Sequence, residues 1–159
     1  MSVSVSVSVS VSVSVAVQQA NFSVADEYAA LSQNPQCGAV VTFSGLVREL
    51  ADTQLQAMTL EHYPSMTERA LHDIGQQALS RWQLGAVRII HRVGRLTPNE
   101  QIVFVGIASA HRDAAFAAAQ FIMDYLKNQA PLWKKEHTAA GDYWVEAKTT
   151  DQAAIKRWL

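Results

Sequence analysis

Ser109-Ala-His-Arg-Asp-Ala-Ala-Phe-Ala-Ala-Ala-Gln-Phe-Ile-Met-Asp-Tyr-Leu-Lys-Asn-Gln-Ala-Pro-Leu-Trp-Lys-Lys-Glu136 is the stretch on which the fold turns. Ala, Leu, Met and Gln favour the helix, so Arg112 to Asn128 is predicted helical. Asp113, Gln120, Asp124 and Lys127 form one narrow polar stripe; Phe116, Phe121, Ile122, Met123 and Leu126 cover most of the rest, so the helix is expected to be largely buried. Pro131 has no N–H and biases Ala130 away from the helical region, which stops the helix just before it. Lys127 then lies on the last helical turn and Lys134 beyond the break, where a turn can bring both ammonium groups to one pocket. At the other end Ser109 is the expected N-cap, with His111 and Arg112 near a helix N-terminus that suits an anion. Taken singly, Lys127 reads as a snorkelling cation paired with Asp124, and Arg112 as a surface charge. The functional case rests on several cations gathered around one mostly apolar helix.

Outward from this helix, the composition sets bounds. The 159 residues suffice for one domain with a core, and 49% hydrophobic with 17% charged residues is ordinary for a folded soluble chain. A formal net charge of -1 gives no global basic field for nucleic acid. The single cysteine, Cys37, excludes an internal disulfide and fits a reducing cytoplasm, the expected location. No apolar run is long enough to span a membrane.

Ser2 to Val15 is seven copies of Ser-Val, the alternation of a strand with valine on one face. Val11 to Val17 is expected to be a first strand. Residues 1–10 are expected to be a disordered or loosely paired low-complexity extension, and 11–159 the folded domain. Ser23-Val-Ala-Asp opens a short helix to about Ser32, ended by Asn34-Pro35. Gly38 to Val47 reads as a buried strand by its β-branched content, with Arg48 at its end. Gln56 to His62 is the next strand, with Met58 and Leu60 inward. Ser65-Met-Thr-Glu68 reads as a capping box before a helix to Trp82, whose core face is Met66, Ala70, Leu71, Ile74, Ala78 and Trp82, with Gly85 as the stop. Val87 to Val93 and Ile102 to Ala108 are strands around a turn at Thr97-Pro98-Asn99-Glu100. Tyr143 to Ala147 is a strand and Asp151 to Trp158 a terminal helix. Mixed helices and strands with at least one hairpin indicate α+β in one domain.

Several chemistries are absent. There is no Gly-x-Gly-x-x-Gly, no Walker loop, no Cys-x-x-Cys and no Gly-x-Ser-x-Gly elbow. His62, His72, His91, His111 and His137 include no i,i+4 pair, and neither a metal nor a cofactor is expected.

The chain resembles the large, catalytic subunit of molybdopterin synthase. The matching stretches are Gly38-Ala-Val-Val-Thr-Phe-Ser-Gly-Leu-Val-Arg48, Leu60-Glu-His-Tyr-Pro-Ser-Met-Thr-Glu68, Ile90-His-Arg-Val-Gly94, Ile102-Val-Phe-Val-Gly106, Ser109-Ala-His-Arg112, and Phe121-Ile-Met-Asp-Tyr-Leu-Lys127 through Pro131-Leu-Trp-Lys-Lys-Glu136. The resemblance implies a single domain of mixed sheet with packed helices, like an α/β hammerhead, beside a small antiparallel β subdomain. It implies a sulfurtransferase that converts cyclic pyranopterin monophosphate to molybdopterin. Sulfur would arrive as a thiocarboxylate on the C-terminal Gly-Gly of a small ubiquitin-like partner subunit, with two large subunits forming the homodimer core of a heterotetramer. Residue by residue, Lys127 and Lys134 match the two active-site lysines and Arg48 the strand-end arginine. His111 and Arg112 match a pair supplied by the neighbouring protomer, and Phe43 and Met123 match pocket-lining positions. Leu46 stands where a lysine is common, and the 49–55 connection lacks an expected glycine.

The chemistry agrees with these residues. A cyclic phosphate needs an anion site, which Arg48, Arg112 and His111 can form. Cys37 has no basic cluster around it and is a poor sulfur relay, and the C-terminus is Arg-Trp-Leu, not Gly-Gly, so sulfur must enter on a partner. Lys127 is the principal catalytic candidate, as acid/base or through a transient bond, and Lys134 the second. Two other readings stay open: a noncatalytic docking subunit for a ubiquitin-like sulfur carrier, and, more weakly, a nucleic-acid binder. Deleting Ser2 to Ser8 is expected to leave folding and activity unchanged, which circular dichroism and an activity assay on the shortened chain would check.

Overall fold

The computed structural model describes residues 12–49, 54–145 and 153–159. In chain order the elements are β1 (Ser12–Gln18), α1 (Val24–Leu31), β2 (Ala39–Leu46), β3 (Leu55–His62), α2 (Met66–Trp82), β4 (Ala86–Arg92), β5 (Gly94–Leu96), β6 (Gln101–Ser109), α3 (Arg112–Asn128), β7 (Leu132–Thr138), β8 (Gly141–Trp144) and a 3-10 turn (Ile155–Trp158). They build an α+β domain of two four-stranded sheets. The first has the order β1-β4-β6-β2, and the second β5-β3-β7-β8. The first sheet is mixed, because β1 runs parallel to β4 while the other pairs are antiparallel. The second is antiparallel throughout. The expected mixed sheet with packed helices and a small antiparallel β unit is therefore present.

Strand β6 is the axis of the core. Residues 102–109 are all buried, as a central strand covered on both faces must be. Side chains alternate. Val103, Val105 and Ile107 join the cluster with Leu71, Ile74 and Ala78 of α2 and Ala118 and Ile122 of α3. Phe104 and Ala108 face the other way, with Phe22 and Leu31 at the two ends of the α1 region. Gly106 lies on that second face, where a Cβ would collide with Leu31 Cδ1 and the Phe104 ring, so α1 packs this closely only over glycine.

The Ser-Val repeat contributes a genuine strand at its C-terminal end. Val13, Val15 and Val17 pack on the main cluster, and Val13 sits against Gly75 of α2. Ser14 accepts a hydrogen bond from Arg88 Nη1 at 2.6 Å, and Arg88 also pairs with Glu27 at 3.0 Å. Residues 1–10 lie outside the described residues, as do Glu146 and Ala147 of the expected strand and Asp151 of the expected terminal helix.

Several local expectations are corrected. Strand β2 is not buried; it is the edge of its sheet, and Phe43 and Leu46 are 39% and 52% exposed. β-branched content reports strand preference and says nothing of what covers the strand. Ser65 makes no side-chain cap, so the capping box is not formed. Thr67 takes over: its hydroxyl accepts the Tyr63 N–H at 3.0 Å and donates to the Pro131 carbonyl at 2.9 Å. Met66, assigned to the core face, is exposed, and Thr67 and Gly75 are buried instead. Gly85 is not the helix stop. Gln83 ends α2 in the left-handed conformation, while Gly85 packs on Cys37. His111, not Ser109, is the N-cap of α3; Ser109 is buried at the end of β6. Beyond Pro131 the lysine segment is a strand, β7, paired with β3. β5 is a further short strand with no counterpart among the expected elements.

Thr67 thus ties the start of α2 to the break between α3 and β7. Thr67→Val keeps the shape but removes the hydrogen bonds of two part-buried partners, and is expected to cost about 1–2 kcal/mol. Thr67→Ser should recover most of that loss in urea unfolding.

Candidate active site

The break after α3 sets the site. Gln129 N–H and Ala130 N–H both bond back to the Tyr125 carbonyl at 2.7 and 3.3 Å, closing the helix before Pro131. The chain then enters β7 in antiparallel register with β3, with Lys134 opposite Leu60 and Lys135 opposite Thr59. Because strand side chains alternate, the two lysines diverge. Lys135 Nζ lies 5.4 Å from the Trp144 ring centroid, and Lys134 turns to the cavity at the foot of α3.

That cavity, of about 70 Å³, is lined by Phe43, Gly45 and Leu46 of β2, His91 of β4, Ile102 and Val103 of β6, Met123, Leu126 and Lys127 of α3, and Lys134 of β7. Lys127 and Lys134 do converge on one pocket, and Phe43 and Met123 line it with them. The register shift between Gly45 and Leu46 at the end of β2 turns this edge over the cavity. A Cβ on Gly45 would collide with Val103 and crowd the Phe43 ring. An open groove of about 440 Å³ adjoins the cavity, sharing Phe43, Met123 and Lys127, and runs back along α3 past Asp124 and Gln120 to Phe116. Phe116 is 62% exposed, so α3 is not apolar only toward the core.

Asp124 does not neutralise Lys127. Its carboxylate is buried, accepting from Gln120 Nε2 at 3.1 Å and Trp158 Nε1 at 2.6 Å, with Arg157 Nε at 3.4 Å. Among the described residues it makes no ion pair with Lys127. The reading of Lys127 as a cation paired with Asp124 is thereby corrected: the C-terminal 3-10 turn covers the carboxylate.

His91 is only 4% exposed. Nδ1 lies 2.9 Å from the Arg92 carbonyl; a carbonyl only accepts, so Nδ1 carries the hydrogen. Burial pushes His91 down to about 4 against the opposing hydrogen bond to the Arg92 carbonyl, and Lys134, Lys127 and His62 add smaller lowering effects. The imidazole is neutral at pH 7. Burial pushes the Cys37 thiol up, away from the thiolate a sulfur relay needs.

These features are those of a small anion-accepting pocket with apolar walls at the end of a groove, and relatives share the framework around it. A family model described as MoaE protein matches residues 17–129. The chain belongs to the MoaE family. It is 58% identical over 139 residues to the molybdopterin synthase catalytic subunit of Escherichia coli K12, covering 86% of this chain and 92% of that one. The molybdopterin biosynthesis MoaE protein from Burkholderia ambifaria superposes with a TM-score of 0.80 at 49% identity, over 92% of this chain and 98% of that chain. Molybdopterin synthase from Staphylococcus aureus superposes at 0.77 with 29% identity, over 82% and 95% of the two chains.

Not every candidate reaches the pocket. Arg48 follows β2 and is exposed, and it does not line the cavity. His111 and Arg112 are exposed at the far end of α3. At ~1.5 Å per residue, the fifteen residues from Arg112 to Lys127 span about 22 Å, so within one MoaE-family chain this pair and the lysines do not meet. The sequence reading did not assign His91 a role. Its signal was the alternation Val87, Ile89, His91, which places a titratable ring on the core face of a strand.

Acid should destabilise the fold through His91. The unfolded chain takes up this proton near 6.5 and the folded chain only near about 4, so between those values the unfolded state binds more protons. Stability should therefore fall as the pH drops from about 6.5 to about 4, by on the order of 3 kcal/mol. His91→Phe should flatten that part of a chemical-denaturation pH series.

Proposed function

We propose that this chain is the catalytic subunit of a molybdopterin synthase, adding sulfur to cyclic pyranopterin monophosphate to form the dithiolene of molybdopterin. The observation that carries the reading is the convergence of Lys127 and Lys134, from a helix end and a neighbouring strand, on one narrow cavity closing an open groove. A thiocarboxylate is an anion before it gives up sulfur, and the carboxylate left behind is an anion too. Two ammonium groups between apolar walls match that charge throughout the reaction.

Sulfur enters on the C-terminal Gly-Gly of a small ubiquitin-like partner. The groove suits an extended tail. From Phe116 to Lys127 it follows three turns of α3, about 16 Å, which holds roughly five extended residues. Lys127 serves as the principal acid/base group or forms a transient bond, and Lys134 is the second proton-transfer and electrostatic group. Arg48 binds the substrate phosphate, together with His111 and Arg112 from the second protomer of a homodimer. The separation of His111 and Arg112 from the lysines supports this division between chains. Phe43 and Met123 form the walls. Among the described residues no helix is long and apolar enough to cross a membrane, and an unpaired Cys37 suits the reducing cytoplasm, where we place the protein.

Lys127→Ala should abolish molybdopterin formation, by at least the ~10²–10⁴-fold of a lost acid/base group, while the thiocarboxylated partner still binds. The assay combines the chain, that partner and the pterin precursor, with fluorescence of the oxidised product as readout. Near-normal turnover in the variant would leave only a docking subunit for the sulfur carrier.

A further inference from the structure

His91 is a buried titratable group that the proposed chemistry does not use. It is the neutral, hydrogen-bonding side chain among the apolar residues and lysines that line the cavity. The Arg92 carbonyl at 2.9 Å holds the hydrogen on Nδ1, so Nε2 presents a lone pair and no hydrogen. Arg92 is itself fixed. Its guanidinium donates to the Gln19 carbonyl at 2.9 and 3.1 Å and to the Gln101 carbonyl at 2.9 Å, and pairs with Glu100 at 3.4 Å. The imidazole therefore rests on a braced strand rather than on a loop.

The groups around it set what Nε2 can meet. Lys134 reaches from β7, Lys127 from α3 and His62 from β3, and each disfavours a charged imidazole, Lys134 most strongly. A neutral acceptor that shares so narrow a cavity with two lysines has a lysine N–H as its natural partner, and Lys134 is the lysine whose charge bears on the ring more strongly.

Resting on the synthase reading, we propose that His91 is a positioning residue: Nε2 accepts an N–H from the Lys134 ammonium and aims that lysine at the anionic sulfur-donor tail. No bond to substrate is made or broken by His91, and no proton leaves the lysine for it. A protonated imidazole would donate where an acceptor is needed and would repel both lysines, so the neutral tautomer is part of the arrangement.

Two substitutions separate positioning from packing. His91→Asn keeps a donor for the Arg92 carbonyl and deletes the acceptor at Nε2, whereas His91→Gln returns an oxygen close to the Nε2 position. In the full complex with thiocarboxylated partner, His91→Asn should lower kcat at least tenfold with KM for the pterin and Tm near those of the unaltered protein. His91→Gln should recover most of the rate. Asn at full rate, or Asn and Gln equally slow, would overturn the proposal. A second measurement needs no change at His91: 15N resonances of its ring at pH 7 should show hydrogen on Nδ1 and a bonded acceptor at Nε2, and the Nε2 signal should move more in Lys134→Ala than in Lys127→Ala. An imidazolium, an Nε2–H tautomer or the reverse ranking would also refute it. Failure of the unaltered complex to make dithiolene product would sink the synthase reading, while the ring resonances would still decide the state of His91.

Discussion

Register between β3 and β7 is the constraint on which the site depends. A strand's side chains alternate, so a slip of one residue would send Lys134 to the face of Trp144 and bring Lys135 into the cavity. Three things fix the register. Pro131 ends α3 at a set point, the Thr67 hydroxyl holds the Pro131 carbonyl, and Leu60, opposite Lys134, is fully buried and cannot change face. The lysine that lines the pocket is chosen by a hydrophobic contact on one strand and a helix break on the other, neither of which lines the cavity.

The polar groups near the cavity divide by the same logic. Asp124 lies one turn before Lys127 on the same helix, close enough in sequence for an ion pair. It is instead saturated by Trp158, Arg157 and Gln120, so the C-terminal turn keeps the carboxylate occupied and Lys127 remains available to an incoming anion. Burying a carboxylate is costly unless it is hydrogen-bonded, and the indole and guanidinium offset that cost without drawing on Lys127. His91 achieves a related end by staying neutral.

Much of this was legible in the chain. The bounds of α3 are those expected from Arg112 and Asn128, because helix propensity and a proline agree there. The strand at the end of the Ser-Val repeat and the convergence of Lys127 with Lys134 also follow from periodicity and spacing. The rest depends on neighbours that a linear pattern does not name. Gly38 to Val47 reads as buried until β2 proves to be an edge, where Val40 and Val41 still pack on the core but Phe43 is exposed. Ser65 and Glu68 satisfy a capping pattern, yet Ser65 sits at φ 70° and Thr67 has the better-placed hydroxyl. The segment Leu132 to Thr138 carries two lysines, a glutamate and a histidine, and forms a strand because β3 and β8 pair with it on either side.

The edge position of β2 has a further consequence. Phe43 and Leu46 line the cavity and are also exposed, and Phe116 continues that apolar border along the groove. A dithiolene-forming site must keep water from a thiocarboxylate, whose hydrolysis would waste the sulfur, and electrostatic matching by the lysines is strong only where water is excluded. One copy of the chain leaves this wall open. A partner tail lying in the groove would cover Phe43 and Phe116 and bury the lysines in the same event. Affinity for the sulfur donor and activation of the site would then come from a single burial of surface, and the pocket would reach its full electrostatic strength only when loaded.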